Sequence, residues 1–166
     1  NIKLSDNENF RFGNVDFKTL LVPGHTSGHI CLYAKNEKIV FTGDTLFSLG
    51  CGKVFEGTYL EMLMSINLIK KLPTDTLIYC GHEYTQKNLE FCIKHEVNNE
   101  RLKEKKKWVT SKLSKKEPTI PITIEEELST NIFLRCNVFS IKKSLGMENS
   151  SELEIFKKLR DLKDSF

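Results

Sequence analysis

Residues 15–22 form an apolar-rich, β-like run that stops at Pro23-Gly24, which predicts a strand. Two further short apolar runs, 30–34 and 39–42, flank the polar turn Lys35-Asn36-Glu37-Lys38 and predict a hairpin. The pattern then changes. Thr58 and Glu61 form a capping box ahead of an apolar-rich stretch that ends at Leu72-Pro73, so residues 59–71 are predicted to be helical. Residues 76–80 predict one more short buried strand ending at Gly81, and from Thr85 onward no strand pattern persists. The second half predicts helices alone. Residues 86–96 and 99–114 are charged and amphipathic, with Leu102, Val109 and Leu113 on one side of the latter. After a break at 118–121, Thr123 with Glu126 opens a short helix, residues 138–145 follow with a stop at Gly146, and Ser151 with Glu154 caps a last helix. The fold class is α+β, with a strand-and-loop unit over residues 1–84 and an all-α unit over residues 85–166.

A chain of 166 residues, 39% hydrophobic and 28% charged, can bury one full core or two small units leaning on each other. No apolar run approaches the roughly 18 residues of a membrane span. Five cysteines, Cys31, Cys51, Cys80, Cys92 and Cys136, are odd in number and contain no C-x-x-C pair. They read as reduced thiols of an intracellular protein, cytoplasmic or organellar. Residues 1–84 carry 8 basic and 9 acidic side chains, and residues 85–166 carry 17 and 13, so the basic excess lies in the second half. That asymmetry suits an anionic ligand, but a net charge of +3 with Lys and Glu interspersed is no nucleic-acid footprint. Residues 1–13 show neither an initiator Met nor an apolar targeting segment, and read as the start of a piece of a longer chain.

Three segments share one design, in which a strand runs into a glycine-flanked loop that presents a metal-ligand type. They are Pro23-Gly24-His25-Thr26-Ser27-Gly28-His29, Thr42-Gly43-Asp44-Thr45, and Cys80-Gly81-His82-Glu83-Tyr84. Singly, each is an ordinary loop. Together they gather three of the four histidines and an aspartate at strand exits, and His with carboxylate suits zinc, iron or manganese. His25 and His29 have i, i+4 spacing, but the intervening glycine and serine argue against a helix. At most one of the pair is expected to be a ligand, the other holding the loop by hydrogen bonding.

In order and spacing, P-G-H-T-S-G-H, F-T-G-D-T-L-F-S-L-G-C-G-K, E-G-T and Y-C-G-H-E-Y resemble glyoxalase II, the hydroxyacylglutathione hydrolases of the metallo-β-lactamase superfamily. The resemblance implies the second part of an αββα sandwich followed by an all-α glutathione-binding domain. It implies two divalent metal ions, zinc foremost with iron or manganese as alternatives. His25 would bind one ion, His82 the other, and the catalytic Asp44 would bridge them. Lys53, Tyr84, Arg160 and Lys163 would contact glutathione, with Phe55 standing where the family usually has a tyrosine. On a helical wheel Leu153, Phe156, Arg160 and Lys163 share one sector, so the two cations point along an apolar face. They are either snorkelling stems or a clamp for the glycine carboxylate of glutathione, and the resemblance favours the clamp.

The implied reaction is hydrolysis of S-D-lactoylglutathione to D-lactate and glutathione, in methylglyoxal detoxification, by hydroxide generated at the metal centre. The family also uses an H-x-H-x-D-H motif that these 166 residues do not contain. Weak or absent metal binding, little activity of the chain by itself, and self-association or pairing with a further segment through an uncovered sheet face are therefore expected. Two rival readings stand beside this one: a non-catalytic module binding a glutathione-like anion or a partner chain, and a mononuclear-iron sulfur-metabolising enzyme of the same superfamily.

Overall fold

The computed structural model describes residues 2–166; Asn1, the first residue of the polar opening stretch, lies outside the described residues. Six strands form one sheet: β1 (Asn9–Phe12), β2 (Val15–Leu21), β3 (Ile30–Ala34), β4 (Ile39–Gly43), β7 (Leu77–Cys80) and β8 (Ile122–Thr123), adjacent in that order. Between β4 and β7 in sequence lie a two-stranded ribbon, β5 (Leu46–Phe47) with β6 (Gly50–Cys51), and helix α1 (Tyr59–Ile69). The helices α2 (Thr85–His95), α3 (Glu100–Ser114), α4 (Ile124–Thr130), α5 (Phe139–Ser144) and α6 (Glu152–Asp164) follow.

The β1–β2, β2–β3 and β3–β4 pairings are antiparallel and β4–β7 is parallel. Strands β2, β4 and β7 therefore run in one direction, and their C-terminal ends share one edge of the sheet. The period-two alternation sorts their side chains between two faces. Leu20, Val22, Val40 and Ile78 join Met62, Leu63, Ile66 and Ile69 of α1 in the core. The opposite face carries Phe10, Phe17, Phe41 and Tyr79 in a row of aromatic contacts, with centroids 5.3 to 6.3 Å apart. Phe41 on that face is 43% exposed and Leu21 40%.

All three capping boxes read from the sequence form, at Thr58, Thr123 and Ser151. Each satisfies two otherwise orphaned donors at a helix start, a local interaction that needs no tertiary support. The expectation of no strand after Thr85 is corrected by β8, whose Ile122 and Thr123 pair antiparallel with Ile78 and Leu77. Two residues are too few to show a period, and it is the free edge of β7 that selects them. Strand β1 was likewise unread within the polar opening stretch, although it pairs along its whole length with β2. Leu113, placed on the apolar side of α3, is 39% exposed, whereas Leu102, Lys105 and Val109 are buried. None of the five cysteines is paired. Among the described residues no helix is long and apolar enough to cross a membrane.

Candidate metal centre

The three strands that run in parallel deliver the three glycine-framed segments to the same sheet edge. His25 follows β2 through Pro23-Gly24, Asp44 follows β4 directly, and His82 follows β7 through Gly81. The Gly81 amide donates to the Gly43 carbonyl at 2.8 Å and locks the latter two exits together. Gly43 has φ +49°, a left-handed conformation, and a Cβ there would lie 2.5 Å from His29 Nε2. The chain can thus turn sharply at the strand end and let Asp44 face inward.

The Asp44 carboxylate stands between the two imidazoles. Oδ2 lies 3.7 Å from His25 Nε2, and Oδ1 lies 3.5 Å from His82 Nε2. Both separations are too long for hydrogen bonds. Two ligands about 2.1 Å from a shared ion in tetrahedral geometry sit about 3.4 Å apart, so each His–carboxylate pair has the spacing of two donors to one ion. Among the described residues no three His, Cys, Asp or Glu side chains cluster around a single point. Each His–carboxylate pair thus offers two donors, which suit a divalent ion in type and fall short of the usual three protein ligands per ion.

The surrounding bonds orient these donors. A carbonyl can only accept, so the 2.8 Å contact of His25 Nδ1 with the Lys53 carbonyl puts the proton on Nδ1 and leaves Nε2 free toward Asp44. His29 Nε2 accepts the Asp44 backbone N–H at 3.1 Å. Burial, reinforced by the neighbouring His25, holds the His29 pKa below its ordinary value. His29 thus braces the loop by hydrogen bonding. A Cβ on Gly52 would lie 1.9 Å from the Asp44 carbonyl oxygen, and one on Gly81 would lie 2.6 Å from Asp44 Oδ1. Only glycine permits this approach.

Phe55, Lys53 and Tyr84 border the centre, and two cations of α6 lie elsewhere on the helical half. The Phe55 ring meets His25 edge-on at 5.1 Å, and Lys53 Nζ lies 5.7 Å from the Phe55 centroid. Tyr84 stacks on His82 at 5.0 Å. The Lys163 ammonium rests over Phe91 and donates to the Lys87 carbonyl at 3.2 Å, and desolvation brings its pKa down to about 8. Arg160 behaves differently from a free clamp. It is 5% exposed, its Nη1 donates to the Cys51 carbonyl at 2.8 Å, and its Nη2 pairs with Asp164 at 2.9 Å. The helical-wheel sector is correct, yet the guanidinium is engaged within the protein and ties α6 to the end of β6.

A family model described as "Hydroxyacylglutathione hydrolase C-terminus" matches residues 83–166, and one described as "Metallo-beta-lactamase superfamily" matches residues 2–82. The chain belongs to the hydroxyacylglutathione hydrolase family. Within it, the hydroxyacylglutathione hydrolase of Pelagibacter ubique (strain HTCC1062) is 53% identical over 165 residues, which are 99% of this chain and 63% of that protein. The hydroxyacylglutathione hydrolase of Bartonella tribocorum is 43% identical over 163 residues, 98% of this chain and 64% of that protein. The chain spans a little under two thirds of the length of these family members. The crystal structure of ETHE1 from Myxococcus xanthus shares the fold, with a TM-score of 0.61 at 22% identity over 98% of this chain and 52% of that one.

Residues of the second half, and Glu83 just before α2, hold the centre in place through bonds to distant segments that no local pattern marks. Glu127 accepts the Leu49 amide, Asn131 and Asn88 donate to the Gly50 and Ser48 carbonyls, and Glu83 accepts from Thr119. Nothing in the run Glu125-Glu126-Glu127 marks its last member as buried.

Proposed function

We propose that this chain serves the hydrolysis of hydroxyacylglutathione thioesters, S-D-lactoylglutathione foremost, in methylglyoxal detoxification. The observation that carries the reading is the convergence of His25 and His82 on the two oxygens of Asp44, beside Lys53, Phe55 and Tyr84. His25 and Asp44 would hold one divalent ion and His82 and Asp44 the other, zinc suiting the donors best, with further donors needed for each. Such ions lower the pKa of water so that hydroxide is present near neutrality.

The chain's own residues bind and orient. Lys53 and Lys163 supply positive charge for the carboxylates of a glutathione moiety. Phe55 and Tyr84 wall the thioester and limit water around it. Arg160 acts on the site through its grip on Cys51. We further propose a cytoplasmic setting, supported by the five unpaired thiols, and a second β-layer over the aromatic sheet face, supplied by further family sequence or by a second copy.

The test is S-D-lactoylglutathione hydrolysis, together with metal content by elemental analysis, in a protein of the relatives' full length that carries these residues. Asp44→Asn should remove activity and bound metal together. Full activity in Asp44→Asn, or full metal loading of the 166 residues alone, would overturn the assignment.

A further inference from the structure

The segment that links β5 to Lys53 pairs with itself through the β5–β6 ribbon, and its tip is held from the other half of the chain. It turns through Leu49, a non-glycine residue with φ +61°. A left-handed leucine persists only where its surroundings fix it. Here the surroundings come from the helical half. The Glu127 carboxylate of α4 accepts the Leu49 N–H through both oxygens, at 3.0 and 3.1 Å. Asn131 donates to Glu127 at 2.7 Å and to the Gly50 carbonyl at 3.1 Å. Asn88 donates to the Ser48 carbonyl at 2.9 Å, and the Cys92 thiol donates to the Leu49 carbonyl at 3.2 Å.

Glu127 is fully buried, and among the described residues no cation pairs with it. An acid so placed is costly to bury unless its bonds serve the fold. Its bonds all lead to this one turn. Beyond the turn, the Gly52 amide donates to the Thr45 carbonyl at 3.1 Å, and the Lys53 carbonyl takes the Nδ1 proton of His25.

We propose that Glu127 is a positioning residue for the candidate metal centre: by pinning the turn at Leu49 it fixes the Lys53 carbonyl, and through that carbonyl the tautomer that turns His25 Nε2 toward Asp44. Its catalytic consequence rests on reading His25 as a ligand. The tautomer itself does not.

The experiment uses the metal-free 166-residue chain, with the His25 ring nitrogens observed by nitrogen-15 NMR and Gly52 amide exchange measured alongside. Glu127→Asp keeps the carboxyl group but withdraws it from Leu49 by one methylene. It should release His25 into a mixture of tautomers and speed Gly52 exchange about tenfold. Glu127→Gln keeps the reach and should restore the single Nδ1–H tautomer. Ile124→Val, buried on the same helix and without a hydrogen bond to the turn from its side chain, should lower thermal stability and move neither signal. An unchanged tautomer in Glu127→Asp, or equal changes in Ile124→Val, would overturn the proposal. Retention of the tautomer control with no metal bound by full-length protein would instead refute the ligand assignment alone.

Discussion

Replacing Arg160 by Met separates a strut from a clamp. The substitution keeps much of the buried stem but removes the guanidinium, so the cavity left behind is small. What is lost is the charge-assisted bond to the Cys51 carbonyl, contributing about 1.5–3 kcal/mol, and that carbonyl is left without its partner at a further cost of about 1–3 kcal/mol. The Asp164 pair at the edge of the helix adds under about 1 kcal/mol after solvent screening. The total is about 2.5–7 kcal/mol, or a fall in melting temperature of at least about 5 °C for a chain of this length. Lys163→Met removes one long bond at a half-buried position, so its melting temperature should fall by no more than about 2 °C. Differential scanning calorimetry reads the first quantity, and titration with a non-hydrolysable S-alkyl glutathione reads binding. Lys163→Met should weaken binding while Arg160→Met chiefly destabilises. If Arg160→Met melts within 2 °C of the parent while binding collapses, the guanidinium is a clamp and the strut reading fails.

Glu127 has a pKa raised by burial from 4.5 to about 8, so between those values the folded chain holds a proton that the unfolded chain releases, and stability falls as pH rises. The slope from this group is up to about 1.4 kcal/mol per pH unit, and urea unfolding from pH 5 to 8 should show it flattened in Glu127→Gln. Gly52→Ala, whose Cβ would collide with the Asp44 backbone, should cost about 1–3 kcal/mol and lower the urea midpoint; an unchanged midpoint would mean that the loop adapts freely. Lys163, with its pKa brought down to about 8, loses charge as pH rises, so affinity for a glutathione anion should drop between pH 7 and 9. Lys163→Arg should remove that pH dependence, as binding titrations across the range would show.

What could be read from the sequence was local. The capping boxes, the hairpin over β3 and β4, and the glycine-framed exits at His25, Asp44 and His82 are each decided within a few residues. Their shared edge follows from strand direction, which alternation and turn length already suggest. Interactions between distant segments were hidden. Phe10-Arg11-Phe12 does alternate, with Gly13 marking the turn, but its polar flank masked a strand that exists because β2 offers an edge. Arg160 sat correctly on the apolar face of its helix, yet whether a buried cation meets a ligand or a carbonyl depends on β6, more than a hundred residues earlier. The burial of Glu127 follows from the same kind of distant partner, the turn at Leu49.

Strand β8 bears on how this chain would come apart. It is contributed by residues on the helical side of residues 82 and 83, where the two family models meet, yet it completes the sheet on the strand side. The Thr76 and Thr74 carbonyls also receive the first amides of α4. Severing the chain at that junction would leave β7 with an open edge of unpaired amides and carbonyls beside Ile78, a template for joining other chains. The half that kept α4 would lose the acceptors for its opening turn. Separate expression of the two halves would therefore favour aggregates over independent folded pieces, and a co-expressed pair should re-form by exchanging this edge. The unit that melts as one is accordingly larger than either sequence module.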